Sequence, residues 1–415
     1  MLNNKNDGKY CRLCNGADLN LLVDLGKLPI SHQYSSNNKP TEEKYAYAVH
    51  SCITCGLHQI LNPISEEILY RDYNYCFTSW KPEPHRDSQV ELIKRLVSGK
   101  KIFEIGSNDG TFLGALKEKG FGECVGVEPN PLSGKMAREN GYAVYEDWLC
   151  PEVCSKAVKQ YGLFDNVVSR HVIEHIADLQ QFFSCIEIVL KPGGYLILDA
   201  PDCGTAIGMG DASILWEEHV NYFTETTMQA MLRGFGYEIV ALKRYLFSGE
   251  SLTVIARQIP RVEKNVVRFN REAAGVSESN GMPAGAYSNK MAKYAAELRT
   301  ELTARKQAGD IVVLFGVGAR GVMTVNALGL KDSIDVAFDD QAEKQGMYMP
   351  GSGLAIRDPI SVRDYSSPLT CLLAVNNENE DAVKERMIGL TRQNIKFSSL
   401  FSPKDIWREL DELRG

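Results

Sequence analysis

The sequence predicts an α/β chain of several domains, two of them doubly wound sheets, preceded by a small cysteine-bearing domain. Three observations predict it. Two C-x-x-C pairs stand near the start, Cys11 with Cys14 and Cys52 with Cys55. An apolar strand at 101–105 runs into a turn holding Gly106, Asn108, Asp109 and Gly110, and Glu128 ends the next strand. A second apolar strand, 311–315, runs into Gly316-x-Gly318-x-x-Gly321, with Asp339 and Asp340 at the tip of the strand that follows. At 415 residues the chain exceeds one ordinary core.

Composition narrows the function classes. With 44% hydrophobic and 24% charged residues the chain reads as globular throughout. A net charge of -7 gives no basic footprint for nucleic acid or for an anionic membrane surface, which points to a small-molecule partner. Residues 1–9 are polar, and no stretch approaches the ~20 apolar residues that span a bilayer. The expectation is a cytoplasmic protein. Eleven cysteines, an odd number in a large chain without a secretion signal, argue for reduced thiols rather than a disulfide framework.

The N-terminal pairs, YCRLCNG and HSCITCGLHQ, each allow two thiolates to reach one ion from a tight knuckle, with Gly16 and Gly56 placed to permit the turns. Together Cys11, Cys14, Cys52 and Cys55 predict a closed structural zinc site. A redox role fits less well, because no thioredoxin-like strand and helix surround either pair. His50 and His58 flank the second knuckle, but four cysteines already saturate zinc.

In the central segment, glycines at a strand end let the backbone approach a ligand, and an acid at the next strand tip can accept both hydroxyls of a ribose. Asp147-Trp148 then offers an acceptor and a stacking face where an adenine would need them. LFDNVVSRHVIEHI follows, with His171 and His175, and then LKPGGYLIL. These motifs, in this order, resemble class I S-adenosylmethionine-dependent methyltransferases over roughly 85–260. The resemblance implies that Glu104, Gly106, Asn108 and Gly110 surround the methionine moiety, with His171 beside them, Glu128 the ribose, and Asp147 with Trp148 the adenine.

The C-terminal glycine turn, taken alone, is a dinucleotide fingerprint. An NAD-dependent enzyme is one reading of it; a site for a nucleotide-linked substrate, or no ligand at all, are the others. Helical spacing over Met282 to Ala308 predicts a long helix joining the two halves. The expected domains are 1–70 (zinc-binding), 71–260 (methyltransferase), 261–300 (helical linker) and 301–415 (Rossmann-like).

Taken together, the knuckles, the central core followed by E-H-V-N-Y-F, and D-D-x-x-x-K-Q-G-x-Y-x-P-G resemble the sugar C-methyltransferases that act on nucleotide-linked ketodeoxysugars. The resemblance implies a structural zinc, a C-terminal domain without dinucleotide, and a sugar in the cleft between the catalytic and C-terminal domains. Carbon methylation beside a ketone needs a base to form an enolate and a donor for its oxygen. WEEHVNY supplies His219 as the expected base, Glu218 as its orienting group, and Tyr222, or Tyr75, as the donor, with His175 nearby. Three positions depart from the family pattern. Trp216 stands where a tyrosine opens Y-H-E-H-x-x-Y, His171 replaces the asparagine of N-x-x-x-H, and the upstream tyrosine-serine cluster reads DYNYCFTSW. These departures keep O-methylation of a related sugar open, alongside a binding protein without turnover.

Overall fold

The computed structural model describes residues 8–37, 43–69, 83–260, 268–275 and 282–415. In the N-terminal part, strands Leu19–Leu28, Tyr45–Cys52 and His58–Ile60 form an antiparallel meander. Its fourth strand comes from far along the chain: Asn221–Tyr222 pairs antiparallel with His58–Gln59. The small domain is therefore completed by the segment that carries Glu217, Glu218 and His219, which fixes that segment relative to the knuckles.

The central sheet has seven strands. Their order is Tyr237–Leu246, Glu250–Gln258, Leu190–Pro201, Phe164–Arg170, Ile102–Ile105, Cys124–Val127 and Ala143–Tyr145. The last five run parallel; at one edge Glu250–Gln258 runs antiparallel to them, and Tyr237–Leu246 pairs antiparallel with it and so runs in the direction of the five. Ile102–Ile105 is buried at every residue, as a central parallel strand covered on both faces requires. The chain winds to opposite sides of this strand, so the crevice at its carboxyl end is the topological switch point where such sheets bind ligands.

The C-terminal sheet is fully parallel, in the order Ile356–Arg357, Val336–Phe338, Ile311–Phe315, Leu369–Leu373, Ile395–Ser399. The joining helix runs from Ala286 to Gln307, within the stretch expected to be helical. It buries Tyr287, Met291, Tyr294, Leu298 and Leu302 on one face. That face enters a core shared by Leu22, Val49 and Ile60 of the small domain, Ile207, Leu215 and Tyr222 of the central domain, and Val312, Met323 and Leu410 of the C-terminal domain. The three parts thus pack as one body, and Tyr287 donates its hydroxyl proton to the carbonyl of Asp211 across the junction (2.7 Å). No helix among the described residues is long and apolar enough to cross a membrane.

Candidate active site

A cleft of about 660 Å³ opens at the switch point of the central sheet. Glu104, Gly106, Asn108, Glu128, Asp147, Trp148 and His171 line it, and so do His175 and Glu218 at its far end. Gly106 has φ +73, and a Cβ there would lie 2.4 Å from Val172 Cγ2, so only glycine fits the turn. Gly110 does not line the cleft. It caps the helix Thr111–Glu118 at φ 81, packed against Tyr142. Glu128 accepts from the backbone N–H of Asn108 (2.9 Å) and of Asn130 (2.8 Å), one bond to each carboxylate oxygen. A carboxylate has about four lone-pair sites, so two remain to face the cleft. Burial raises its pKa, opposed by those two N–H groups.

Glu104 is nearly fully buried, and its Oε2 has no hydrogen-bond partner among the described residues. Burial pushes its carboxyl up to about 8, against the pull of Arg170. An orphaned carboxylate facing a cleft beside a glycine turn fits the ammonium end of S-adenosylmethionine, and the two spare lone pairs of Glu128 fit a ribose diol. Trp148 is exposed (51%) and lines the cleft. His171 adopts φ 51, a left-handed conformation seldom held by a non-glycine residue without a site to justify it. Its N–H donates to Asp199 O (2.7 Å), and its ring stands 3.5 Å from the Asp199 carboxylate. Burial alone would raise Asp199, but His171, Arg170, and hydrogen bonds from Ser251 and Gln89 outweigh it and hold the carboxyl low.

At the other end, Glu218 lies 3.5 Å from His32 Nδ1, a residue of the small domain that sequence reasoning did not single out. Nothing local marks His32; only the fold brings it across 186 positions. Glu217 accepts from both the N–H and the hydroxyl of Ser31 (2.7 and 2.8 Å). His175 Nδ1 is bonded to the carbonyl oxygen of Glu218 (2.9 Å). His219 is buried, edge-on to His175 (ring centroids 4.9 Å apart) and packed on Trp216 (4.1 Å). Tyr222 is not brought to the cleft. Its hydroxyl pairs with that of Tyr47 (2.5 Å) and donates to Trp216 O (3.1 Å), inside the core where burial raises its pKa. Tyr75 lies outside the described residues.

The four cysteine sulfurs lie within 4.8 Å of one another, with Cys11 to Cys55 and Cys14 to Cys52 both at 3.5 Å. That is far beyond a disulfide bond and close to the edge of about 3.8 Å that a zinc tetrahedron with ~2.3 Å bonds requires. All four are buried. The knuckle turns differ from expectation in one respect: the left-handed residues are Asn15 (φ 57) and Gly56 (φ 78), not Gly16. Gly16 is needed for space, since a Cβ would stand 3.1 Å from Thr54 Oγ1 and 3.3 Å from Cys14 Sγ.

The C-terminal glycine turn is closed on itself. Asp339, the acid a dinucleotide ribose would need, accepts from the N–H of Val317 (2.7 Å) and pairs with Lys344 (3.3 Å). Lys344 also donates to Val317 O (3.0 Å), as does the hydroxyl of Tyr34 (2.5 Å). Arg320, in the first turn of the following helix, points into the domain junction and bonds Ser213 O (3.1 Å), Ser213 Oγ (2.9 Å) and Asn376 Oδ1 (3.1 Å). These bonds engage Asp339 and Arg320 within the protein itself.

Comparison with known families gives the same three parts in order. Residues 11–70 match a zinc binding domain, 78–242 a methyltransferase domain, and 248–398 a C-methyltransferase C-terminal domain. This is the architecture of a sugar C-methyltransferase. The chain carries a central methyltransferase domain and a zinc binding domain with four clustered cysteines. Curated relatives include the mitochondrial ubiquinone biosynthesis O-methyltransferase of Mus musculus, 34% identical over 107 residues, which are 25% of this chain and 29% of that one. The enzyme of the same name from Pectobacterium atrosepticum is 29% identical over 101 residues, 24% of this chain and 41% of that one. The match thus spans less than half of either relative. Among solved structures, a SAM-dependent methyltransferase from Archaeoglobus fulgidus is 17% identical and covers 42% of this chain and 94% of its own, with a TM-score of 0.32.

Proposed function

We propose that the chain transfers a methyl group from S-adenosylmethionine to a carbon beside a ketone on a nucleotide-linked sugar, through an enolate. The observation that carries this reading is the single cleft joining the glycine turn and Glu128 to His175 and Glu218. The match to a C-methyltransferase C-terminal domain supports carbon as the acceptor. When bound, S-adenosylmethionine supplies a sulfonium methyl open to attack by an electron-rich carbon.

The chain's own residues have four tasks in this reading. Glu104, with the turn from Gly106 to Asn108 and with His171 beside it, holds the charged methionine end. Glu128 holds the ribose through its spare lone pairs, and Asp147 with Trp148 holds the adenine. Glu218 takes the proton beside the ketone, with His32 orienting it; the C–H electrons become the enolate double bond. His175 faces the developing oxygen charge. Sequence reasoning gave the base to His219 and the orienting role to Glu218. Their placement favours Glu218 as the base and His32 as its orienting group, because Glu218 lines the cleft while the His219 ring is turned to His175 and Trp216. The donor role expected of Tyr222 is not met by its hydroxyl, which is already engaged.

A second reading, O-methylation, is favoured by the O-methyltransferases among the relatives and by the missing phenol at Trp216. One experiment separates them. The purified protein, incubated with methyl donor and a panel of nucleotide-linked ketosugars, should add one methylene in mass with the new methyl on a sugar carbon by NMR, and without a reactive donor in heavy water it should exchange deuterium into the carbon beside the ketone. A new methyl on oxygen by NMR would establish the O-methyl reading. No gain on any nucleotide-linked sugar would overturn the acceptor class.

A further inference from the structure

Among the described residues that line the cleft, Arg170 is the sole lysine or arginine, set against a wall of acids that includes Glu83, Glu104, Glu128 and Asp147. An anionic group entering this space has one permanently charged partner. Arg170 ends the strand Phe164–Arg170, which pairs in parallel with Ile102–Ile105. Glu104 is level with Val168, and Arg170 lies two residues further on, so both side chains leave the same face of the sheet. The two are close enough for Arg170 to draw the Glu104 carboxyl down against the effect of burial. The guanidinium is firmly held yet under-used. Phe112 lies against it, with Cζ 3.9 Å from the ring centre, and Glu83 accepts from Nη2 (2.9 Å). That is the one hydrogen bond of this side chain among the described residues, out of five N–H donors. Nε is buried and has no partner. The Asp199 carboxylate stands 3.9 Å from it and is committed to Ser251, Thr253 and Gln89. A guanidinium only 8% exposed normally satisfies more of its donors, so the spare ones point to an anionic ligand.

We propose that Arg170 receives the α-carboxylate of S-adenosylmethionine, so that Glu104 and Arg170 together recognise both charges of its amino-acid end. The planar fork of an arginine matches a carboxylate in a way that a lysine does not. Glu83 and Phe112 act as positioning residues, holding the guanidinium without consuming its donors. Glu104 alone would accept any donor that bears an ammonium; with Arg170 beside it, the site demands the zwitterion. The inference rests on the donor placement proposed above and adds a specificity that the placement itself does not require.

The test compares two compounds on the full chain. Decarboxylated S-adenosylmethionine keeps the sulfonium, the adenosine and an ammonium, and lacks only the carboxylate. Calorimetry at about pH 7, where both ammonium groups remain largely protonated, should find it bound by the wild type roughly tenfold or more weakly than S-adenosylmethionine. In Arg170→Met that preference should shrink to within about threefold. Any effect of the lost arginine on Glu104 or on the shape of the cleft acts on both compounds and cancels in the ratio, so a merely structural role leaves the preference intact. Arg170→Lys keeps the charge and loses the fork; it should show an intermediate preference, and it supplies the comparison should the methionine variant fail to fold. Equal binding of the two compounds by the wild type, or a preference unchanged in the variant that folds, overturns the role of Arg170. A wild type that binds neither compound overturns the donor placement, and the role of Arg170 with it.

Discussion

Burial raises the Glu104 carboxyl from its ordinary 4.5 to about 8, which couples methyl-donor binding to pH. In the free protein the folded state holds a proton there that the unfolded chain would have lost. Stability from this group is fully present below pH 4.5 and is lost as pH rises through about 8. Binding runs the other way, since a carboxylate, not a carboxylic acid, pairs with the donor's ammonium. At pH 6 roughly one molecule in a hundred carries the ionised form, and at pH 7 about one in ten. Donor affinity should therefore strengthen about tenfold between these values and level off near pH 8, where an α-ammonium of pKa ~8 begins to lose its own proton. Calorimetric titration at three pH values reads this directly. In Glu104→Gln the slope should vanish. A wild-type affinity that is flat from pH 6 to 8 would remove Glu104 from the donor site.

The element that places the acceptor groups is the pair of loops around 173–176 and 216–222, and Asn221 clamps them together. Its amide donates to Ile173 O (3.1 Å) and Ile176 O (2.8 Å), and its Oδ1 accepts from Arg12 (3.3 Å). Asn221→Ala removes the side-chain donor from Ile176 O and one of two donors from Ile173 O, which keeps the N–H of Ile176; an unsatisfied buried group costs about 1–3 kcal/mol. The expected result is a lower melting temperature and a fall in turnover of an order of magnitude or more. Donor affinity should stay within about threefold, because Glu104 and Glu128 sit on other strands. Equal losses of donor binding and turnover would show that the clamp serves the whole cleft. This element also marks the limit of what the sequence discloses. The glycine turn, Glu128, the knuckles and the long helix are local patterns of a few residues at fixed spacing, and each is found where its period places it. By contrast, the strand that Asn221–Tyr222 adds to the small domain, the approach of His32 to Glu218, and the burial of the Tyr222 hydroxyl join residues far apart in the chain. The closure of Asp339 on Lys344 is local, yet the fingerprint around it reads the same with or without a ligand.

For the molecule as a whole, the shared core makes the knuckles a support for chemistry they do not touch. Arg12, between Cys11 and Cys14, donates to Val220 O (2.7 Å), Ile60 O (2.6 Å) and Asn221 Oδ1 (3.3 Å). The strand leaving the second knuckle, His58–Ile60, pairs with Asn221–Tyr222, only a few residues beyond Glu218. Loss of the metal should therefore reach the acceptor end first, through these hydrogen bonds, and the donor end last. Cys52→Ser removes one of the four ligands, and because metal affinity and folding of such a domain are linked, the site should lose its zinc and the small domain its order. Three measurements on the same variant distinguish this from general unfolding. Elemental analysis should show the cysteine-site zinc gone. Calorimetry should find donor binding within a few fold of the wild type, since the central sheet keeps a core cluster around Ile102, Val168 and Ile197 that the knuckles do not enter. Methyl transfer should drop by at least a hundredfold, because Glu218 and His32 are no longer held at the cleft. Retained turnover in the zinc-free variant would mean that the small domain is an appendage, and that the strand it shares with the acceptor loop carries no functional constraint.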